Sequence, residues 1–511
     1  MTQRRSLLFF ACLLLLVNGP AQAAQAGSTS APQSVGSLIM PRLPLSPFAS
    51  GSAVRSNSPA AQQIAGPATT GMPISPDAEV TLKQAIAIAL EYHPRIREAA
   101  DNTTAATARI GEARSFLGPQ VDGIAQDLGT SDNGIADTSY YNPLGMYPRI
   151  TGRNHTLPSN DFGETWDTNN NYMGGLAISQ FLFDFGRRRG FVAQRRFEAA
   201  SVAAAEQLAK LDLIFEVSQR YFSVLQAKQL IEVYEKAVEQ RQFHLHEAQV
   251  KAEARLRPEL DVYVTRAEVE RAQLHLVDAH NAYDDAKAAL NNALGLSDRA
   301  PQYHLADVLT YAPVMESLQA LVATAMHQRP DLKALDDQAR ALGAQIVEYR
   351  SDYFPTANAL GGYSAMGTGP AMGYRLPVAN NFNVGIMITW PIFNSFLTTD
   401  QIGETKARQR AVQDAIEDLQ QRVILQVQTA FLDRRAALQR IERAEKALAA
   451  SRAQLELAEK RYQAGLTNIV ELEDAQRYYT YDDAEYASAL YGYSVANAAV
   501  DASSGRSLSR L

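Results

Sequence analysis

The segment IGEARSFLGP at Ile110–Pro119 is answered by IVEYRSDYFP at Ile346–Pro355. Isoleucine, glutamate, arginine, serine and proline recur at the same places, 236 residues apart, and His93-Pro94 answers to Arg329-Pro330 at that spacing. Further along the spacing becomes 210. Gly175 pairs with Gly385, Phe183 with Phe393, Val217 with Val427, Tyr221 with Phe431 and Leu256 with Leu466. Each copy runs in one order: a short helical pattern, two alternating apolar/polar stretches, then a very long helical pattern. Two copies of a helix–strand–strand–helix unit imply one pseudo-symmetric body built from duplicated halves. The two spacings differ by 26 residues, which gives the first copy a longer strand-to-strand loop, 128–171, rich in Asn, Asp, Gly, Ser and Thr. If the strands cross an outer membrane, that loop, with Asn154 near its middle, faces outward.

Working outward, the N-terminus reads as a secretory signal. Arg4 and Arg5 precede an apolar run from Leu7 to Val17 that is too short to span a bilayer. Asn18-Gly19-Pro20 breaks the run, and Ala21-Gln22-Ala23 or Ala24-Gln25-Ala26 supplies small residues for cleavage. Cys12, the only cysteine, lies inside the run rather than after it, which argues against a lipid-attachment cysteine. The mature chain then has no cysteine and no disulfide, although its compartment permits one. The net charge of -7 becomes about -9 on cleavage, a balance that speaks against nucleic acid. The expected organisation is a signal peptide over 1–26, a Ser/Pro/Ala-rich disordered lead-in over 27–78, a first repeat over 79–296, a second over 297–502, and a short tail over 503–511. The hairpins of the two repeats fall at 119–183 and 355–393.

No proline occurs from 184 to 250 or from 394 to 464. A helix of that length is on the order of 100 Å long. The second shows its seam plainly: Ala437, Ile441, Ala444, Leu448, Ser451, Leu455, Ala458 and Tyr462 follow alternating steps of four and three. That heptad pattern requires a coiled-coil-like partner. Ala436, Ala447, Ala449, Ala450 and Ala453 form a second close-packing stripe, so the helix expects two neighbours, as in a curved wall of helices. Each long helix ends at a turn, 253–258 or 463–468, with Pro258 and Gly465 as breakers, and a returning helix follows.

Phe382, Val384, Ile386, Ile388 and Trp390 alternate with Asn383, Gly385, Met387 and Thr389. Weaker versions of this pattern occupy 119–127, 172–183 and 355–365. In an outer membrane such a strand faces lipid on one side and water on the other. Four strands cannot close a barrel, and an open edge is not tolerated in lipid, so a membrane barrel must be shared between copies of the chain. Eight strands need two copies and twelve need three. The competing reading is two soluble hairpins in a periplasmic helical protein.

LKQAIAIALEYHP at Leu82–Pro94, ISQFLFDFG at Ile178–Gly186, Phe393, and YQAGLTNIVELED at Tyr462–Asp474 together resemble the TolC family of outer-membrane efflux and secretion channels, over essentially all of 79–500. The resemblance implies a mostly α fold with a small membrane β part. Long antiparallel coiled-coil helices form an α-barrel in the periplasm, and four strands per chain contribute to a shared trimeric β-barrel. It implies a homotrimer in outer-membrane lipid that docks with a periplasmic adaptor and an inner-membrane pump. Carried over residue by residue, Glu471 and Asp474 match an acidic ring at the periplasmic entrance. Tyr462 and Asp261 match a latch that holds neighbouring hairpins together. Arg255, Leu256, Gly465 and Leu466 match the adaptor-contacting tips. The family often has arginine where Thr467 stands, and reads Ala-Gly-Leu where this chain has Ala254-Arg255-Leu256, so part of the latch is altered here. Carboxylates repeated by threefold symmetry favour cations and raise each other's pKa. By spacing alone, Tyr462 is a seam residue and the two acids are solvated helix surface.

No phosphate loop, nucleophile motif or metal cluster stands out, and no cofactor is expected. His244 and His246 with Glu247 come nearest to a metal cluster, but positions two apart point to different helix faces. Two readings follow: a passive export duct, or a periplasmic coiled-coil scaffold or adaptor that never enters the membrane. Neither is an enzyme. Only the duct needs both hairpins to face lipid.

Overall fold

The computed structural model describes residues 79–131, 168–296, 303–306, 316–370 and 379–506. The signal-like and lead-in segments, the loop around Asn154 and the last five residues lie outside the described residues.

The duplicated halves have helices of equal length. A capping box opens α1 (Leu82–Tyr92): the Thr81 hydroxyl accepts from the Gln84 amide at 3.3 Å, and the Gln84 side chain accepts from the Thr81 amide at 2.9 Å. Its counterpart α5 (Leu318–Gln328) is capped by Ser317. His93 and Arg329 then turn the chain through extended backbone into α2 (Pro94–Ser115) and α6 (Pro330–Ser351). Each begins on proline, which suits a first helical position because its missing N–H has no partner there anyway. The long helices α3 (Arg187–Glu253) and α7 (Leu397–Gln463) have 67 residues each. The returning helices α4 (Glu259–Ala293) and α8 (Ile469–Ser503) have 35 each.

α3 packs against α1, α2, α4, α6 and α8, and α7 packs against α5, α6 and α8. The α7 seam is covered as its spacing requires: Ala437, Ile441, Ser451, Leu455, Ala458 and Tyr462 are buried, and Ala444 and Leu448 half-buried. The second alanine stripe of α7 is exposed in the single chain. The main core gathers α1, α3 and α4 around Leu213, Val217, Leu225, Leu290 and Leu294. Against it lies a parallel pair of two-residue strands, β1 (Glu79–Val80) and β4 (His304–Leu305). The Tyr221 hydroxyl donates to the carbonyls of Val80 and Ala306, each at 3.0 Å, and so ties the starts of the two halves together.

Four strands make one antiparallel sheet in the order β2 (Gln120–Ser131), β3 (Thr168–Phe183), β5 (Thr356–Pro370), β6 (Ala379–Thr389). All four run further than the alternating pattern indicates, β6 by three residues at its start. Backbone pairing between 129–131 and 168–170 carries the ladder through polar and glycine residues that show no period. At its end β6 stops one residue before Trp390, which therefore lies outside the strand it was read into. Pro391 follows and has no N–H to give a ladder. The indole of Trp390 donates to the Tyr353 carbonyl at 3.1 Å.

The register separates two faces. Val121, Ile178, Gly361 and Val384 form one row across all four strands, and Gly123, Leu176, Tyr363 and Phe382 form the next. Their large apolar side chains, with those of Ile386 and Ile388, are exposed. On the opposite face the row Asp122, Ala177, Gly362 and Asn383 is polar or small, and Ile124, Leu360 and Met387 stand among polar or small neighbours. β2 and β6 each keep one unpaired edge. Among the described residues no helix is long and apolar enough to cross a membrane.

Candidate functional site: the paired helical tips

The two helical hairpins end in equivalent turns. At the first, Leu256 N–H bonds back to Lys251 O at 2.8 Å; at the second, Leu466 N–H bonds to Arg461 O at 2.8 Å. This closure needs a left-handed residue just before the leucine. Gly465 supplies it at φ 74° without strain, while Arg255 does so at φ 62° with a Cβ in the way. Leu256 and Leu466 stand out from the tips, 74% and 73% exposed. Arg255 is also exposed.

Asn468 caps α8 by accepting from the Glu471 amide at 3.1 Å. Glu471 and Asp474 are both half-exposed, and each has a cation from its own chain. Arg461 Nη1 lies 2.7 Å from Glu471 Oε1, the Thr467 hydroxyl donates to its other oxygen, and Arg477 pairs with Asp474. The charge offered by the pair is therefore partly offset within the chain.

Tyr462 is buried at 1% exposure beside Leu455, Ala458, Ile469, Leu472 and Ala475. Burial first, and the Asp261 carboxylate second, push its hydroxyl up to about 12. Asp261 is buried as well. The structure thus brings together the two residues expected to form a latch, but neither the Tyr462 hydroxyl nor Asp261 Oδ2 has a hydrogen-bond partner within the chain. The ring of Tyr462 is better engaged. Lys251 Nζ sits 4.7 Å from its centroid and Arg257 Cζ 4.8 Å, and Arg257 Nη2 donates to the carbonyls of Tyr462 at 3.2 Å and Thr467 at 3.0 Å.

One turn away, charged residues are buried between the hairpins. Arg241 of α3 faces Glu473 of α8, with its Nε 3.8 Å from Glu473 Oε2; Gln476 of α8 donates to the Gln240 side chain of α3, and His244 is buried one turn from Arg241. Burial pushes Glu473 up to about 7, against the pull of Arg241. Burial also lowers His244, against the pull of Glu247 3.9 Å away. Arg241 Nε, His244 Nδ1, both Glu473 oxygens and Gln476 Oε1 lack a hydrogen-bond partner within the chain. His246 points to solvent, away from His244. The sequence reading passed over Arg241 and Glu473. The available signal was charge at seam spacing: Ala237, Arg241, His244 and Ala248 step by four, three and four. Arg257 and Lys251 carried no periodic signal.

A sequence model described as outer membrane efflux protein matches residues 85–296 and 321–506. The chain belongs to that family. This efflux protein is 26% identical to outer membrane protein OprJ of Pseudomonas aeruginosa over 357 residues, covering 65% of this chain and 70% of OprJ. It is 23% identical to outer membrane protein TolC of Escherichia coli over 415 residues, 78% of this chain and 77% of that one. Its fold superposes on CusC, whose crystal structures address folding and transmembrane channel formation, with a TM-score of 0.68 and 20% identity, covering 85% of this chain and 97% of CusC. The efflux protein is an outer-membrane channel with a helical body in the periplasm, and the reading as a scaffold outside the membrane is not favoured.

Proposed function

We propose that three copies of the chain form one export duct, and that the paired tips are its periplasmic entrance. One observation carries this reading. The four-stranded sheet has a largely apolar face, a more polar face and two unpaired edges, and only closure with other copies satisfies those edges in lipid. Three copies give twelve strands. The exposed alanine stripe of α7 is the corresponding seam between copies in the helical wall. Glu471 and Asp474 supply the acidic ring of the entrance. Leu256 and Leu466, with Arg255 and Gly465 beside them, form the knobs that an adaptor grips on behalf of an inner-membrane pump.

The buried polar atoms between α3 and α8 support motion there. An unsatisfied buried polar group costs about 1–3 kcal/mol, so the two hairpins of one chain meet along a weak seam. The test is assembly and conduction of the full chain in detergent. A heat-modifiable trimer that forms ion-conducting pores in planar bilayers is the expected result. A detergent-free monomer that keeps its full structure overturns the duct.

A further inference from the structure

We infer that Arg257, with Lys251, is a cation clamp on the second tip, and that this clamp, rather than the Tyr462 hydroxyl, holds the two hairpins of one chain together at the entrance. The inference deepens the entrance reading and rests on it for its effect on conduction.

Arg257 is half-buried although Leu256 and Pro258 on either side are exposed, so its side chain turns inward from the tip. Its Nη2 bonds one carbonyl at each side of the second turn, Tyr462 O and Thr467 O. A cation at the C-terminal end of α7 also meets the negative end of the helix dipole. The guanidinium covers the Tyr462 ring, and the Lys251 ammonium, held by Glu247 Oε1 at 2.7 Å, lies against the same ring. Both cations come from the first hairpin, and ring and carbonyls from the second. Desolvation places such cation–ring contacts at the strong end of their range. Charged hydrogen bonds to carbonyls are about twice as strong as neutral ones. The hydroxyl of the same tyrosine, by contrast, bonds nothing in the chain.

The test is hydrogen exchange at residues 460–470 of the detergent-solubilised full-length protein, beside single-channel recording. Arg257→Ala should speed exchange there at least about tenfold, through the loss of two charged hydrogen bonds and one ring contact. Arg257→Lys, which keeps the charge but not the fork, should fall between Ala and parent. Tyr462→Phe should match the parent, and Tyr462→Leu should resemble Arg257→Ala. Unchanged exchange in Arg257→Ala overturns the clamp, and so does a Tyr462→Phe as fast as Tyr462→Leu. Faster exchange in Arg257→Ala with parental conductance upholds the clamp and removes the tips as the entrance.

Discussion

Replacing Ile386 by arginine tests the membrane face most directly. Ile386 is the central member of Phe382, Val384, Ile386, Ile388 and Trp390, and projects from the apolar face of edge strand β6 opposite Ala359. A strand residue advances about 3.4 Å, or about 2.6 Å along the membrane normal at a tilt near 40°. The seven steps from Phe382 to Thr389 then cover about 18 Å of a band about 25 Å tall, and Ile386 falls near the midplane. Arginine there costs about 2–4 kcal/mol, and threefold repetition makes that about 6–12 kcal/mol per assembled barrel. Met387 projects to the opposite face, paired with Asn358, so Met387→Arg should cost far less. Refolding into lipid vesicles along a urea series reads the difference as a fall in midpoint for Ile386→Arg and little change for Met387→Arg. Equal falls for the two variants would refute the assignment of faces.

Further expectations concern the tips. Arg255→Gly removes a left-handed non-glycine residue and should stabilise the first turn by about 1 kcal/mol, seen as slower exchange of the Leu256 amide; faster exchange would contradict the strain argument. Glu473 has its native pKa raised to about 7, so it binds its proton more tightly in the folded chain, and its support for folding is present below the ordinary glutamate range and lost as pH rises through 7. Glu473→Gln should therefore flatten the stability-against-pH curve between about 4.5 and 7 and be more stable than the parent at pH 8; parallel curves would count against it. Alanine at both Glu471 and Asp474 should weaken block by trivalent cations applied from the tip side in planar bilayers, and unaltered block would remove the acidic ring.

Much of the fold was legible because it is periodic. The α7 seam from Ala437 to Tyr462 could be read residue by residue, since heptad spacing records a single neighbour along that part of the helix. The β6 pattern was equally plain, because successive side chains there lie on two faces of different character. One end of each of the four strands was not, since backbone pairing sustains a strand where side chains carry no alternation. At the tips, the resemblance pointed to Tyr462 and Asp261, and the structure brings them together. It could not reveal that Arg257 reaches across to the other hairpin, because a long flexible side chain leaves no trace in spacing. Glu473 went unread for the opposite reason: it stands between Glu471 and Asp474, and only burial sets it apart.

Arg257 and Thr467 occupy equivalent positions, 210 residues apart, and the side chain of one bonds the backbone of the other. In a ring of six identical half-length subunits, every position would carry the same residue at every seam. Arginine would then face arginine, and no subunit could supply the grip without also supplying its mirror image. Fusing two halves into one gene product lifts that constraint. Alternate seams can diverge, one tip becoming the hand and the other the handle. A gate needs seams of unequal strength if some are to part while others hold, and a duplicated chain can inherit that inequality in its sequence rather than acquire it from a ligand.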